Sequence, residues 1–171
     1  MNGEIMNQER LVRIERKVIG TLQSGEKVFE RLRNHLHGSL VSSKILPEAL
    51  GRMTSLGRDF FDATVEFEDY IGFSVCVETT FQDEITYAQR EGRAGLTRFV
   101  RNREPDPSKF FTAVLKKIED GYILITAYVG PKGEPETWDR NATDKSASFW
   151  KNHAIVWGKE EIVPGSEKVT A

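Results

Sequence analysis

The chain has 171 residues, 39% of them hydrophobic and 29% charged, which is enough for one domain with a buried core. A formal net charge of -2 argues against a protein that coats nucleic acid by bulk electrostatics, so an anionic partner has to meet a local patch. Cys76 is the only cysteine, which excludes an intrachain disulfide and a thiolate zinc cluster.

No apolar run approaches the roughly 18 residues that a membrane span needs, and residues 1–10 are too polar for a signal peptide. A soluble cytoplasmic protein is expected, with no membrane partner. Leu11, Ile14, Val18 and Leu22 recur at helical spacing, and after Ser24-Gly25 the pattern resumes as Phe29, Leu32, Leu36 and Leu40. The spacing predicts two amphipathic helices over 8–41, which can also pair two copies of the chain into a homodimer. Pro47 can open a third helix with Leu50, Met53, Leu56 and Phe60 as its buried stripe, so residues 8–61 read as a helical N-terminal part. His35 and His37 would then project about 200° apart and cannot share a metal.

From Phe73 the period becomes alternating, with Phe73, Val75 and Val77 on one face and Ser74 and Cys76 on the other. The apolar neighbours suggest a packed thiol at Cys76. A short strand is expected over 84–89. Phe110 to Ile118 and Tyr122 to Val129 form the clearest hairpin, its turn at Asp120-Gly121. Gly130 to Pro135 breaks the sheet. Ser146 can cap a short helix carrying Phe149 and Trp150, and Ala154 to Trp157 reads as a last strand. The polar residues 158–171 are expected to form a frayed tail. Helices first and strands after favour a single α+β domain: N-terminal helices packed on a twisted, mostly antiparallel sheet of four to five strands, with the β-rich part over 73–157.

Between Arg90 and Lys117 stand eight basic residues against three acidic ones. Arginine dominates, and its planar fork matches phosphate oxygens bidentately. Arg90, Arg93, Arg98 and Lys109 are candidate nucleic-acid contacts, and Tyr87, Phe99 and Phe110 could stack on bases. The plain alternative is a basic segment that pairs with the protein's own carboxylates. His153 is the side chain best suited to proton exchange at neutral pH, unless it is an edge histidine satisfied by a backbone carbonyl. Thr126 and Tyr128 alternate along one strand and share a face. No Gly-x-Ser-x-Gly elbow accompanies Ser146 and Ser148, and Gly92-Arg93-Ala94-Gly95 lacks the phosphate-loop ending.

With N-terminal helices, a strand containing Ile125, Thr126, Ala127, Tyr128 and Gly130, and a terminal segment bearing His153, residues 73–157 resemble the barnase/EndoU/colicin/RelE superfamily of small metal-independent ribonucleases, many of them bacterial toxins. The resemblance implies RNA cleavage by attack of the ribose 2'-hydroxyl on the adjacent phosphate, without metal or cofactor. It implies His153 as acid or base, Arg98, Arg101 and Arg103 as charge stabilisers, and Thr126 and Tyr128 as positioning groups. RNA and a protein partner or inhibitor are the partners it suggests. The other reading is a non-catalytic nucleic-acid-associated or adaptor protein of phage or plasmid type.

Overall fold

The computed structural model describes residues 17–31 and 44–170, and there the chain is built mainly of strands. In chain order these are β1 (Val18–Thr21), β2 (Lys27–Phe29), helix α1 (Ile45–Leu50), β3 (Phe60–Glu66), β4 (Gly72–Ser74), β5 (Cys76–Glu78), β6 (Ile85–Gln89), β7 (Leu96–Val100), β8 (Asp106–Ser108), β9 (Phe110–Ile118), β10 (Gly121–Val129), helix α2 (Asp144–Asn152) and β11 (His153–Val156). They divide into two compact units. One joins the described residues up to Ile71 with Lys109–Val129, and the other joins Gly72–Ser108 with the residues from Gly130 onward.

The expected α+β domain, with N-terminal helices laid on a sheet, is corrected by this arrangement. Val18, Leu22 and Phe29 have helical spacing, but their segment also holds Gly20, Gly25 and the β-branched Val18, Ile19, Thr21 and Val28. A glycine costs about 1 kcal/mol in a helix interior, and β-branched side chains favour a pleated surface. The segment folds as the β1–β2 hairpin, closed by Leu22 N–H to Glu26 O and Gly25 N–H to Leu22 O, both 2.9 Å. Leu11, Ile14, Leu32, Leu36, Leu40, His35 and His37, and with them most of the expected dimerising helices, lie outside the described residues. The helix expected at Pro47 is real but short. Leu46, Ala49 and Leu50 bury its stripe, whereas Leu56 is 78% exposed and Phe60 already belongs to β3.

In the first unit the strand order is β1-β2-β10-β9-β3, parallel between β2 and β10 and antiparallel elsewhere. The β9–β10 hairpin lies inside this sheet, where its two long apolar strands predicted it. Ile118 pairs with Gly121, so the loop is Glu119-Asp120 and the positive φ of 149° falls on the glycine. A Cβ there would stand 2.3 Å from the Lys27 carbonyl oxygen, so Gly121 is what lets β2 come alongside. Phe61, Val65, Phe111, Ala113, Leu115, Tyr122 and Leu124 pack with Leu22, Val28 and the α1 stripe into one core. Tyr122 is fully buried, its hydroxyl donating to Arg58 O at 2.6 Å and its ring edge-on to Phe61. At the β1–β2 turn the hydroxyls of Ser24 and Ser55 hold the Glu26 carboxyl below its ordinary value.

The second unit holds a four-stranded sheet, order β5-β11-β7-β6, and the two-stranded pair β4–β8. A single alternating strand through Phe73, Val75 and Val77 is not what forms. Phe73 is 65% exposed and Ser74 buried, because the chain bends at Val75, where Ser74 Oγ donates to Cys76 O at 2.9 Å. The bend inverts the facing order, and Val77 goes into the core. Strand β6 matches the expected 84–89 segment, and α2 with β11 match the expected helix and last strand. The cap of α2 is Thr143, with Ser146 completing a capping box three residues on. The residues after Gly158 do not fray: Lys168 bridges Tyr87 and Ile162 bridges Arg90 along the outer edge of β6. No helix among the described residues is long and apolar enough to cross a membrane.

Candidate functional site

The arginines singled out by the sequence fall on the second unit's sheet and on the segment leaving it. Alternation along β7 buries Thr97 and Phe99 and leaves Arg98 half-buried. Phe99 is therefore core, packed edge-on against Trp157, and offers no face to a base. Tyr87 on β6 and Phe110 on β9 are half-buried.

Each of four arginines is turned toward acceptors of the protein itself. Arg90 Nε donates to Thr97 Oγ1 at 3.0 Å, and its Nη2 lies 2.5 Å from Glu136 Oε2, with side-chain exposures of only 13% and 9%. Arg98 Nη1 donates to Thr79 Oγ1 and to the His153 carbonyl, at 2.8 and 2.9 Å. Arg101 lies 4.0 Å over the Trp157 ring, with Nε on Thr86 Oγ1 and Nη2 at 2.7 Å from Glu167 Oε2. Arg103 reaches the Glu78 carbonyl and Asp106 Oδ1, both at 2.6 Å. Arg93 is exposed in the turn after Arg90, its carbonyl accepting from Gln89 Nε2. Lys109 belongs to the first unit, where its amine stands 5.1 Å from the Tyr70 ring centroid.

His153 ends α2 and begins β11. Its Nδ1 lies 2.8 Å from the Phe149 carbonyl oxygen and its ring stacks on Phe149 at 3.9 Å, so helix and histidine fix one another. Thr126 and Tyr128 are half-buried on β10, opposite Val114 and Thr112, and belong to the first unit, while His153, Arg101 and Arg103 belong to the second. Ser146 is buried in the α2 capping box. Burial first, then the nearby Glu136 charge, pushes the Cys76 thiol up to about 11, which makes it a poor nucleophile at neutral pH.

Sequence reasoning found the cations and missed their partners. Glu136 and Glu167 lie 46 and 66 residues from the arginines they hold. The signal that could have pointed to them was the charge balance, since a basic segment in a slightly acidic chain has carboxylates elsewhere to meet it. Chemically the cluster is a set of braces: Arg90 ties the 130–143 segment to the sheet, Arg98 ties β7 to β11, and Arg101 ties β7 to the C-terminal residues. Among the described residues no group of three His, Cys, Asp or Glu side chains gathers as metal ligands. No protein-family model, curated protein or solved structure matches this chain.

Proposed function

We propose that the chain is a non-catalytic binding protein of the adaptor type, in which the arginine cluster stiffens the second unit instead of holding a scissile phosphate. The observation that carries this reading is that Arg90, Arg98, Arg101 and Arg103 each donate to at least two oxygens of the protein, or to one oxygen and a carboxylate. To clamp a phosphate, Arg90 would have to abandon Glu136 and leave that carboxylate buried without its partner, a loss on the order of 3–5 kcal/mol. A cytoplasmic setting belongs to this reading and suits the single free thiol of Cys76.

One observation favours the ribonuclease reading. With Nδ1 of His153 donating to the Phe149 carbonyl, a neutral imidazole keeps its basic lone pair on Nε2. The experiment that separates the two is incubation of wild type and His153→Ala with total RNA in EDTA at neutral pH, followed by end-group analysis. The expected result is no 2',3'-cyclic phosphate from either. Cleavage by wild type that falls about 10²- to 10⁴-fold in His153→Ala, the usual worth of one general acid or base, would replace the adaptor reading with the ribonuclease one.

A further inference from the structure

Strand β6 is the edge of its sheet, and what covers it is poorly matched to it. Arg101 N–H bonds to Glu84 O on the β7 side, so Thr86 and Ala88 share that inward direction, while Tyr87 and Gln89 turn their backbone groups outward. The residues after Gly158 fill this outer side. Tyr87 and Lys168 exchange both backbone bonds at 2.8 and 2.7 Å, Val163 N–H donates to Gln89 O at 2.8 Å, and Glu91 N–H reaches Glu161 O at 3.1 Å. The Gln89 N–H is met only by a side chain, Ser166 Oγ.

The two bridges reveal the mismatch. Lys168 and Ile162 are six residues apart, whereas their partners Tyr87 and Arg90 are three apart. The excess residues turn outward around Pro164-Gly165, where Gly165 has a φ of 78° and Ser166 N–H closes on Val163 O. Beyond these bonds the segment is held by a few side chains, among them Glu160, which stands 3.8 Å from Arg90 Nη1. Ile162 packs on Ala88, Phe99 and Ile155, and Glu167 pairs with Arg101 at side-chain exposures of 47% and 35%, while Val169 is 86% exposed.

We propose that the outer edge of β6 is a docking site for an extended acidic segment of a partner protein, and that residues 161–168 occupy it in cis until displaced. An incoming strand without the outward turn would pair with β6 in continuous antiparallel register, extend past Tyr87 toward Ile85, and so make a better ladder than the resident segment. Its specificity would come from two features of the edge: an aliphatic side chain in the place of Ile162, and a carboxylate in the place of Glu167 on the guanidinium that Trp157 supports. The inference names a kind of partner for the adaptor reading and rests on it. The RNA assay tests that reading separately, so the failure of either is recognisable.

The test uses the full chain and a labelled synthetic peptide of residues 159–170 from which Pro164, Gly165 and Ser166 are omitted, followed by fluorescence anisotropy. The peptide should bind wild type and bind Val163→Pro/Lys168→Pro at least about tenfold more tightly, because both prolines remove resident N–H donors and weaken the competitor. N-methylation of the peptide at the residue corresponding to Lys168 should cost about tenfold, roughly one hydrogen bond. Binding indifferent to N-methylation, or no binding to either protein, overturns the proposal. Should the double variant fail to fold, amide exchange in wild type decides: Tyr87 N–H should exchange on the order of 10²-fold faster than Ala88 N–H, and equal protection overturns the proposal. A wild-type dimer that vanishes in the folded double variant would assign the edge to a second copy and overturn the named partner.

Discussion

The two units are stabilised in different ways, and the contrast explains why so many arginines crowd one stretch of sequence. The first has a single large core, with fourteen buried apolar residues among those described, layered between one five-stranded sheet and α1. The second has two small buried clusters, built around Val77, Val100, Ala154 and Val156 and around Ala88, Phe99 and Ile155. A unit with little apolar area to remove from water needs other restraints, and there the charged side chains reach backbone carbonyls and carboxylates across strands and loops. A basic cluster in a sequence can therefore be the mortar of a thin sheet.

The largest expected effect lies in the first unit. Phe111→Ala should cost about 3–5 kcal/mol by urea unfolding, the usual loss for a fully buried aromatic side chain, and a cost below 1 kcal/mol would remove Phe111 from the centre of the core. In the second unit Glu136→Ala should cost about 1–3 kcal/mol, because it removes the short ion pair of a buried guanidinium and leaves Arg90 only Thr97 Oγ1 and, at 3.8 Å, Glu160. The double substitution Arg90→Met/Glu136→Leu should recover most of that loss, because the pair's attraction largely offsets its own desolvation. A double variant no more stable than the single one would show that the ion pair is worth more than apolar packing at this place. The smallest effect is pH-dependent. The Cys76 thiol ionises at about 11 in the folded protein against an ordinary value of 9.0, so its unfolded form loses the proton first. The stabilisation is complete below pH 9 and declines as pH rises toward 11. Cys76→Ala should flatten that part of the stability profile, and an unchanged slope would assign the decline to other groups.

How much of this was legible depended on whether the deciding interaction was local. The β9–β10 hairpin, β6, α2 and β11 announce themselves through alternation, a turn glycine or the serine of a capping box, all within a few residues. The β1–β2 hairpin was hidden because Val18, Leu22 and Phe29 fit a helical stripe as well as a strand pair, and its partner, β10, comes some ninety residues later. The bend at Val75 was hidden because it interrupts an otherwise alternating run, and the Ser74 Oγ bond to Cys76 O that spans it leaves no mark in that pattern. The polar C-terminal segment looked unstructured because its order comes from backbone pairing with β6, which composition does not encode. At the site, His153 and the arginines were visible as residue types. The Phe149 carbonyl, Glu136 and Glu167, which decide what those residues are free to do, were not.

The opposite edge of the four-stranded sheet carries a quieter consequence. On β5 the carbonyls of Cys76 and Glu78 already accept from Ser74 Oγ and Arg103 Nη1, so a further strand would have to compete with side chains for its acceptors. A sheet with two open edges can recruit a neighbour on each side, and side chains that occupy the acceptors of one edge make it a poorer template. Here two side chains make β5 the poorer template, so a strand added to this sheet is expected at β6.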